Sequence, residues 1–248
     1  RYHKTMDDIK TTIVVLSYNG KELTKKFLEL LFEHTKSFKL IMIDNGSIDG
    51  TAEYLSNEAL LSKSYTTLVL NEENLGVIGG RNMGYTLFQS DPTDYLCFLD
   101  NDQFVRKDWL EQYHDFMETG KYDIIGADAW LMNSSYKPVY NCKKAGDAYS
   151  YVGCGGMMIK KKVLDAIGLF DEQFNPAYFE DPDFNFRARQ SGFSIGWNHF
   201  AKIEHLPHQT LGKSKDRMVY FAQSYEKFRN KWKGIEILPM RQKPIIKA

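Results

Sequence analysis

The residues of this chain best placed to do chemistry are acids that follow apolar runs. Tyr95-Leu96-Cys97-Phe98-Leu99 reads as a buried central strand and stops at Asp100-Asn101-Asp102. Two aspartates one residue apart at a strand end can turn toward one hole as the chain bends. That concentrates negative charge where open α/β sheets bind ligands. Oxygen ligands favour hard divalent cations, Mg2+ or Mn2+, held by one or two carboxylates plus the phosphates of a substrate. The plainer reading is a polar turn, which Asp and Asn also suit. A second acidic cluster, Tyr178-Phe179-Glu180-Asp181-Pro182-Asp183-Phe184, also admits two readings. Asp181 as N-cap, Pro182 at the first helical position and Asp183 near the positive helix end would make a strong helix start. The two aromatics before Glu180 and Asp181 could instead leave one carboxylate partly desolvated beside a pocket, where a proton acceptor is useful.

Further polar clusters fall where strands are predicted to end. Thr12-Ile13-Val14-Val15-Leu16 leads to Ser17-Tyr18-Asn19-Gly20, Leu40-Ile41-Met42-Ile43 to Asp44-Asn45-Gly46-Ser47, and Thr67-Leu68-Val69-Leu70 to Asn74-Leu75-Gly76. Leu23, Phe27, Leu30, Leu31 and His34 then fall at helical spacing, a short helix is predicted from about Asp49 to Asn57, and another ends near Ser90. Alternation of this kind indicates a mainly parallel sheet with right-handed crossovers, so that four strand ends share one rim. A nucleotide across that rim would find an aromatic face for its base, carboxylates for ring N–H groups or ribose hydroxyls, and a metal for its phosphates. Turn chemistry explains each cluster separately, but not why a Tyr and three Asp share one edge. Gly76-Val77-Ile78-Gly79-Gly80-Arg81 is a glycine-rich approach to a helix whose amides and Arg81 could meet an anion. It lacks the G-x-G-x-x-G spacing and the P-loop lysine, which disfavours a dinucleotide fold or an NTPase.

Taken in order, these motifs resemble the family-two glycosyltransferases of the GT-A fold, with the flavour of bacterial rhamnosyltransferase-like members. The motifs are Asp44-Asn45-Gly46-Ser47 with Asp49-Gly50-Thr51, Asn74-Leu75-Gly76 through Gly79-Gly80-Arg81-Asn82, Asp100-Asn101-Asp102, and Glu180-Asp181-Pro182-Asp183 with Arg187. The match covers roughly residues 11–212, leaving 1–10 as an N-terminal extension and 213–248 as a C-terminal helix and tail. The resemblance implies an α/β nucleotide-diphospho-sugar transferase fold, a mainly parallel central sheet with helices on both faces. It implies a donor site of Ser17, Tyr18, Asn19, Asp44, Asn74, Gly76, Arg81, Asp100 and Asn101, with the Tyr18 turn and Asp44 on the base. It implies that Asp100 to Asp102 hold ribose and metal, and that Asp181, beside Glu180, is the catalytic base. Family members place a His shortly after a strand like Ala201 to Glu204, so His205 is expected to join Asp100 and Asp102 on the metal, with His208 in reserve. Imidazole would move the preference from Mg2+ toward Mn2+. Gly155, Gly156 and Trp197 are assigned to the acceptor side, although tight strand-against-helix packing is the other explanation for the glycines. The implied reaction is inverting transfer from a UDP- or dTDP-sugar to a hydroxyl of a glycan, lipid-linked or protein-linked acceptor.

Two alternatives remain at this level. A sugar nucleotidyltransferase would need triphosphate contacts near its first loop, and Ser17-Tyr18-Asn19-Gly20 contains no Lys or Arg. The other is a non-catalytic domain that binds nucleotide sugar or glycan. The Q-x-x-R-W sequence of processive, membrane-embedded relatives is absent, which favours a single addition. Lys+Arg and Asp+Glu are both 32 in 248 residues, arguing against a general nucleic-acid binder or a polybasic membrane anchor. Cys97, Cys142 and Cys154 form no disulfide framework or C-x-x-C site. No apolar run approaches a membrane span, and Arg1-Tyr2-His3-Lys4 lacks a signal-peptide core, so a soluble cytoplasmic protein is expected. Elsewhere, Asp108 is predicted to cap a helix bearing Leu110, Tyr113 and Met117. Further strands are expected in 124–132, 193–197 and 201–204, and a loop-like stretch in 133–150. Met218, Phe221, Tyr225, Phe228 and Trp232 predict one apolar helix seam ended by Gly234, packing on this domain or a neighbour.

Overall fold

The computed structural model describes residues 9–57, 66–206, 215–236 and 238–242. The predicted alternation is present: β1 (Thr11–Ser17), α1 (Lys21–His34), β2 (Phe38–Asp44), α2 (Thr51–Leu55), β3 (Thr66–Leu70), α3 (Gly76–Ser90) and β4 (Tyr95–Asp100). The chain continues through β5 (Gln103–Val105), α4 (Trp109–Glu118), β6 (Ile124–Gly126), β7 (Ala129–Met132), β8 (Pro138–Asn141), β9 (Ala148–Tyr149), β10 (Tyr151–Val152) and β11 (Met157–Lys160). It ends with α5 (Lys161–Ile167), α6 (Glu180–Gln190), β12 (Ile195–Trp197), β13 (Ile203–His205), α7 (Arg217–Trp232) and β14 (Met240–Arg241).

The central sheet has the order β12-β6-β11-β4-β1-β2-β3. All its pairings are parallel except those of β11, which runs antiparallel to β4 and β6. Side chains alternate across β1: Ile13 and Val15 pack with Phe27, Leu28 and Leu31 of α1 and Trp109 of α4, whereas Val14 packs in the layer of Ile78 and Phe88 of α3 and Phe184 of α6. Burial on both faces is why the strands read as continuous apolar runs. Two glycines of α3 serve this packing, because a Cβ at Gly80 would lie 2.4 Å from Leu16 and one at Gly84 2.4 Å from Val14. Within the glycine-rich run, Gly80 is therefore a close helix–sheet contact, whereas Gly76 and Gly79 face Asn175.

Several local expectations are corrected. Residues 133–150 are not all loop: β8 joins β10 and β7 in a second, three-stranded sheet, and β9 pairs with β14. Asp108 precedes α4 in the left-handed region (φ 61°) and makes no side-chain cap bond. Asp181 is not an N-cap, because α6 begins at Glu180 with Phe179 at the capping position in left-handed conformation. Asp183 is fully buried, and it accepts from Trp232 Nε1 (3.0 Å) and Arg187 Nε (2.8 Å) and pairs with Lys231 Nζ (2.7 Å). It ties α7 to α6 through side chains. The α7 seam packs through Phe228 and Trp232 on Phe186, and Phe221, Tyr225 and Phe228 contact Phe179, while Met218 at its start is 65% exposed. Gly234, in left-handed conformation, follows the helix end.

Candidate active site

The carboxyl ends of the parallel strands and the amino end of β11 meet along one edge, above a cleft of about 870 Å³. At its first end the loops after β1 and β2 are locked together. Asn19, in left-handed conformation, donates its backbone N–H to Ser47 Oγ (2.7 Å) and accepts the Ile48 N–H on Oδ1 (2.9 Å). Ser17 is buried against Thr24 and Asn101. These two fix the loop, while Tyr18 and Asn101 line the cleft. Asp44 accepts the Ser47 N–H on Oδ2 (2.9 Å), but its buried Oδ1 has no protein partner. The neighbouring Asn45 is a hub. It donates to Asn74 Oδ1 (2.9 Å) and Gly76 O (3.1 Å) and accepts from Asn71 and the Leu75 N–H. Gly76 is obligatory, since its φ is 79° and a Cβ would lie 2.3 Å from Asn175 Oδ1.

The middle of the cleft is acidic and carries one buried cation. Arg81 donates from one nitrogen to both oxygens of Asp100 (2.8 and 3.0 Å) and from the other to Glu180 Oε1 (3.4 Å). Burial lowers its tendency to hold a proton, yet Asp100 and Glu180 keep the guanidinium pKa well above its ordinary value. Arg81 is thus paired inside the protein. The ladder of β13 on β5 sets His205 opposite Gln103, and the Leu206 N–H donates to Asp102 O (2.9 Å). His205 Nε2 stands 3.6 Å from Asp102 Oδ1, an ion-pair distance, and that buried oxygen has no hydrogen-bond partner. Asp102 raises the His205 pKa against the lowering effect of burial. Asp100, by contrast, is turned to Arg81. Among the described residues no group of three or more His, Cys, Asp or Glu is arranged to hold a metal: of the expected Asp100–Asp102–His205 trio, Asp102 and His205 stand together while Asp100 is held by Arg81. His208 lies outside the described residues. A carboxylate oxygen without a partner beside an imidazole fits a divalent ion that takes its remaining ligands from a diphosphate.

At the far end stand Glu180 and Asp181. Tyr178 (φ 74°) and Phe179 (φ 67°) are consecutive left-handed residues with bulky side chains, a strained approach found at functional sites. The Phe179 ring is held against Phe221 and Phe228, each with centroids 5.2 Å away. Burial pushes the Glu180 carboxyl pKa up despite Arg81. Burial first, and then the charge of Glu180, raise that of Asp181 well above the ordinary carboxylate range. The Asp181 Oδ1 is buried without a hydrogen-bond partner. Glycines clear the floor: a Cβ at Gly155 would lie 3.0 Å from Asp100 Oδ2 and 2.7 Å from Gln103 Nε2. One at Gly153 would stand 3.9 Å from the Oδ2 atoms of both Asp128 and Asp181.

Residues 12–166 match the sequence profile of Glycosyl transferase family 2, well over half of the chain. The chain belongs to glycosyl transferase family 2. It is 30% identical over 209 residues to the amylovoran biosynthesis glycosyltransferase AmsB of Erwinia amylovora, a match covering 77% of this chain and 67% of that protein. Two further curated relatives are matched over only 22% and 54% of their own lengths. The crystal structure of GalNAc-T7 with UDP, GalNAc and Mn2+ superposes with a TM-score of 0.73 at 14% identity, covering 92% of this chain and 48% of that one. The mannosyltransferase PcManGT from Pyrobaculum calidifontis, in complex with GDP-Man and Mn2+, gives 0.61 at 15% identity, covering 90% and 71%. The fold is GT-A.

In this family-2 chain, Tyr18, Asn74, Gly76, Arg81, Asp100, Asn101, Asp102, Gly155, Glu180, Asp181 and His205 all line one cleft. Ser17, Asn19 and Asp44 stand behind it. Two residues assigned to the acceptor side do not reach it. Gly156 is buried in a tight turn where a Cβ would meet Ala127 at 2.8 Å, and Trp197 is packed beside Tyr149 with its N–H on Ala127 O (3.3 Å). The cleft also contains residues that sequence patterns did not single out: Asn45 as a hub, Gln103, Asp128, Trp130 and Tyr151. Asp128 had a signal of the same kind as Asp44 and Asp100, an acid just past a short apolar run, Ile124-Ile125.

Proposed function

We propose that this family-2 protein transfers a sugar from a nucleoside diphosphate sugar to an acceptor hydroxyl, with inversion at the anomeric carbon. The observation that carries the proposal is the order of groups across the sheet: Asp44 and Asn45 after β2, Tyr18 after β1, Asp100 and Asp102 after β4, Gly153 and Gly155 before β11, and Asp128 after β6. Three inter-strand steps separate β1 from β6, roughly 15 Å, which suits a nucleotide, its diphosphate and a sugar laid in line. Tyr18 supplies an aromatic face in the cleft, and the family resemblance puts Asp44, just behind it, on the base side of a UDP or dTDP donor. Asp100, steadied by the Arg81 fork, is placed to accept from ribose hydroxyls. Asp102 and His205 would hold Mn2+ or Mg2+, whose chemistry when bound is to offset the charge of the departing diphosphate. The UDP and Mn2+ of GalNAc-T7 and the GDP-Man and Mn2+ of PcManGT support that reading.

Asp181 takes the proton from the attacking hydroxyl. Burial and the adjacent Glu180 make its carboxylate more basic than an exposed one, which suits it to that task. Arg81 steadies Glu180 and Asp100 on either side of the reacting centre. The acceptor belongs to a glycan, free, lipid-linked or protein-linked, and AmsB, named for amylovoran biosynthesis, supports a polysaccharide. Three buried, free thiols suit a cytoplasmic setting, and among the described residues no helix is long and apolar enough to cross a membrane. Calorimetric titration of UDP, dTDP and GDP with and without Mn2+, paired with donor turnover, tests the proposal. Metal-dependent binding of UDP or dTDP with slow release of sugar is expected. Undetectable or metal-independent binding of all three would overturn it.

A further inference from the structure

Beyond Asp181 the cleft continues into a wall that the donor does not need. It is built by the second sheet, β10-β7-β8, in which Tyr151 and Asn141 both pair with Trp130 across neighbouring strands. Cross-strand partners share a face, so these three side chains form one surface. Trp130 and Tyr151 line the cleft, and Trp130 is half-buried, packed on the core on one side. The Trp130 indole is also tethered: its Nε1–H donates to Asp128 Oδ2 (2.7 Å), and Asn141 Nδ2 donates to the other oxygen of Asp128. Both hydrogen-bonding ends of this unit are satisfied within the protein. What remains for a ligand is an aromatic surface of fixed orientation with a carboxylate at its edge.

Resting on the glycosyltransferase reading, we propose that Trp130, flanked by Tyr151 and positioned by Asp128, is an acceptor subsite for a pyranoside, so that the group receiving the transferred sugar is itself a carbohydrate ring. A pyranose carries an apolar C–H face ringed by hydroxyls, the counterpart of an aromatic surface bordered by acids. Gly153 adjoins both carboxylates: a Cβ there would stand 3.9 Å from the Oδ2 atoms of Asp128 and Asp181. A ring resting on Trp130 therefore directs a hydroxyl across that glycine toward the Asp181 carboxylate. A polyprenyl tail would make no use of Asp128. A peptide serine would not need a tethered indole.

The chain itself supplies the reporter. Of its four tryptophans, Trp109, Trp197 and Trp232 are buried, which leaves Trp130 as the indole facing ligand. With UDP and Mn2+ present, nitrophenyl hexopyranosides should change the fluorescence of the whole chain saturably, and the change should be lost in Trp130→Phe. In turnover, Trp130→Ala should raise the pyranoside KM roughly tenfold or more with a smaller effect on kcat, and Trp130→Phe or Trp130→Tyr should largely restore it. Asp128→Asn cannot accept from both Trp130 and Asn141, so it should raise KM in the same direction. UDP affinity within about twofold of wild type certifies that each variant is folded. An unchanged pyranoside KM in folded Trp130→Ala, or transfer to polyprenyl phosphate or hydroxylated peptide but to no pyranoside, would overturn the inference. If the wild type turns over no nucleotide sugar yet the fluorescence titration persists, the transferase reading falls and the subsite stands. Donor turnover with no titration by any pyranoside has the opposite meaning.

Discussion

Asp181 concentrates the functional claim at the scale of single residues. Its carboxyl pKa is raised by burial and by Glu180, so the proposed base is ionised only above that raised value. Transfer kcat/KM should therefore climb with pH through a limb lying above the usual Asp range, about 3.9. Asp181→Asn should abolish the limb and lower transfer roughly 100-fold or more; near-normal activity in that variant would discard the assignment. The same shift carries a stability cost. A carboxyl that holds its proton to higher pH when folded than when unfolded loses stability as pH rises from the unfolded toward the folded value. Asp181→Asn should therefore melt higher than wild type at pH 7 by a few degrees, about 1 kcal/mol being about 2–4 °C in a chain of this size. Near pH 4 the gain should shrink. Equal melting temperatures at pH 7 would show that the Asp181 charge is already relieved in the fold.

The elements that present these residues are themselves held from outside the sheet. α7 clamps the strained entry to α6, since Phe221 meets Tyr178 at 5.5 Å and Phe179 at 5.2 Å between ring centroids. Phe221→Ala should leave UDP binding nearly intact but lower kcat on the order of tenfold, by loosening the approach to Asp181; an unchanged kcat would mean that α6 holds its own first turn. Asp183→Ala removes the acceptor of the Trp232 N–H and the partner of two cations. It should cost about 3 kcal/mol or more in urea unfolding. The β5–β13 ladder plays a comparable part on the other side of the cleft by carrying His205 to Asp102. His205→Ala should weaken Mn2+-dependent UDP binding about tenfold or more, a loss read by calorimetry and absent when UDP is titrated without metal.

At the scale of the whole molecule, function follows from strand order. β11 enters antiparallel between β4 and β6, so its amino end joins the carboxyl ends of its neighbours on one edge. That reversal brings the glycines of 153–155 beside the acids that follow β4 and β6 and under the start of α6. Chelation of divalent metal should lower UDP affinity at least about tenfold while leaving the melting temperature of the nucleotide-free protein unchanged, because Asp102 and His205 lie at the cleft and not in the core. A drop in the melting temperature of the nucleotide-free protein would instead assign the metal a structural place.

Local pattern alone determined the alternation of strands and helices, the rim of strand ends and the acids on it. These rest on hydrophobic runs and short motifs, whose physics lies within a dozen residues. Tertiary structure decided which of those acids remain open to a ligand. Asp100 faces Arg81, nineteen residues back, while Asp102 faces His205. Asp183 serves Trp232, and Trp197, Ser17 and Gly156 are spent on packing. Trp130 and Asp128 join the cleft through a small sheet whose strands, two to four residues long, are too short to show a period. Sequence spacing cannot report such pairings, because they depend on which distant segment arrives to complete a charge or cover a ring.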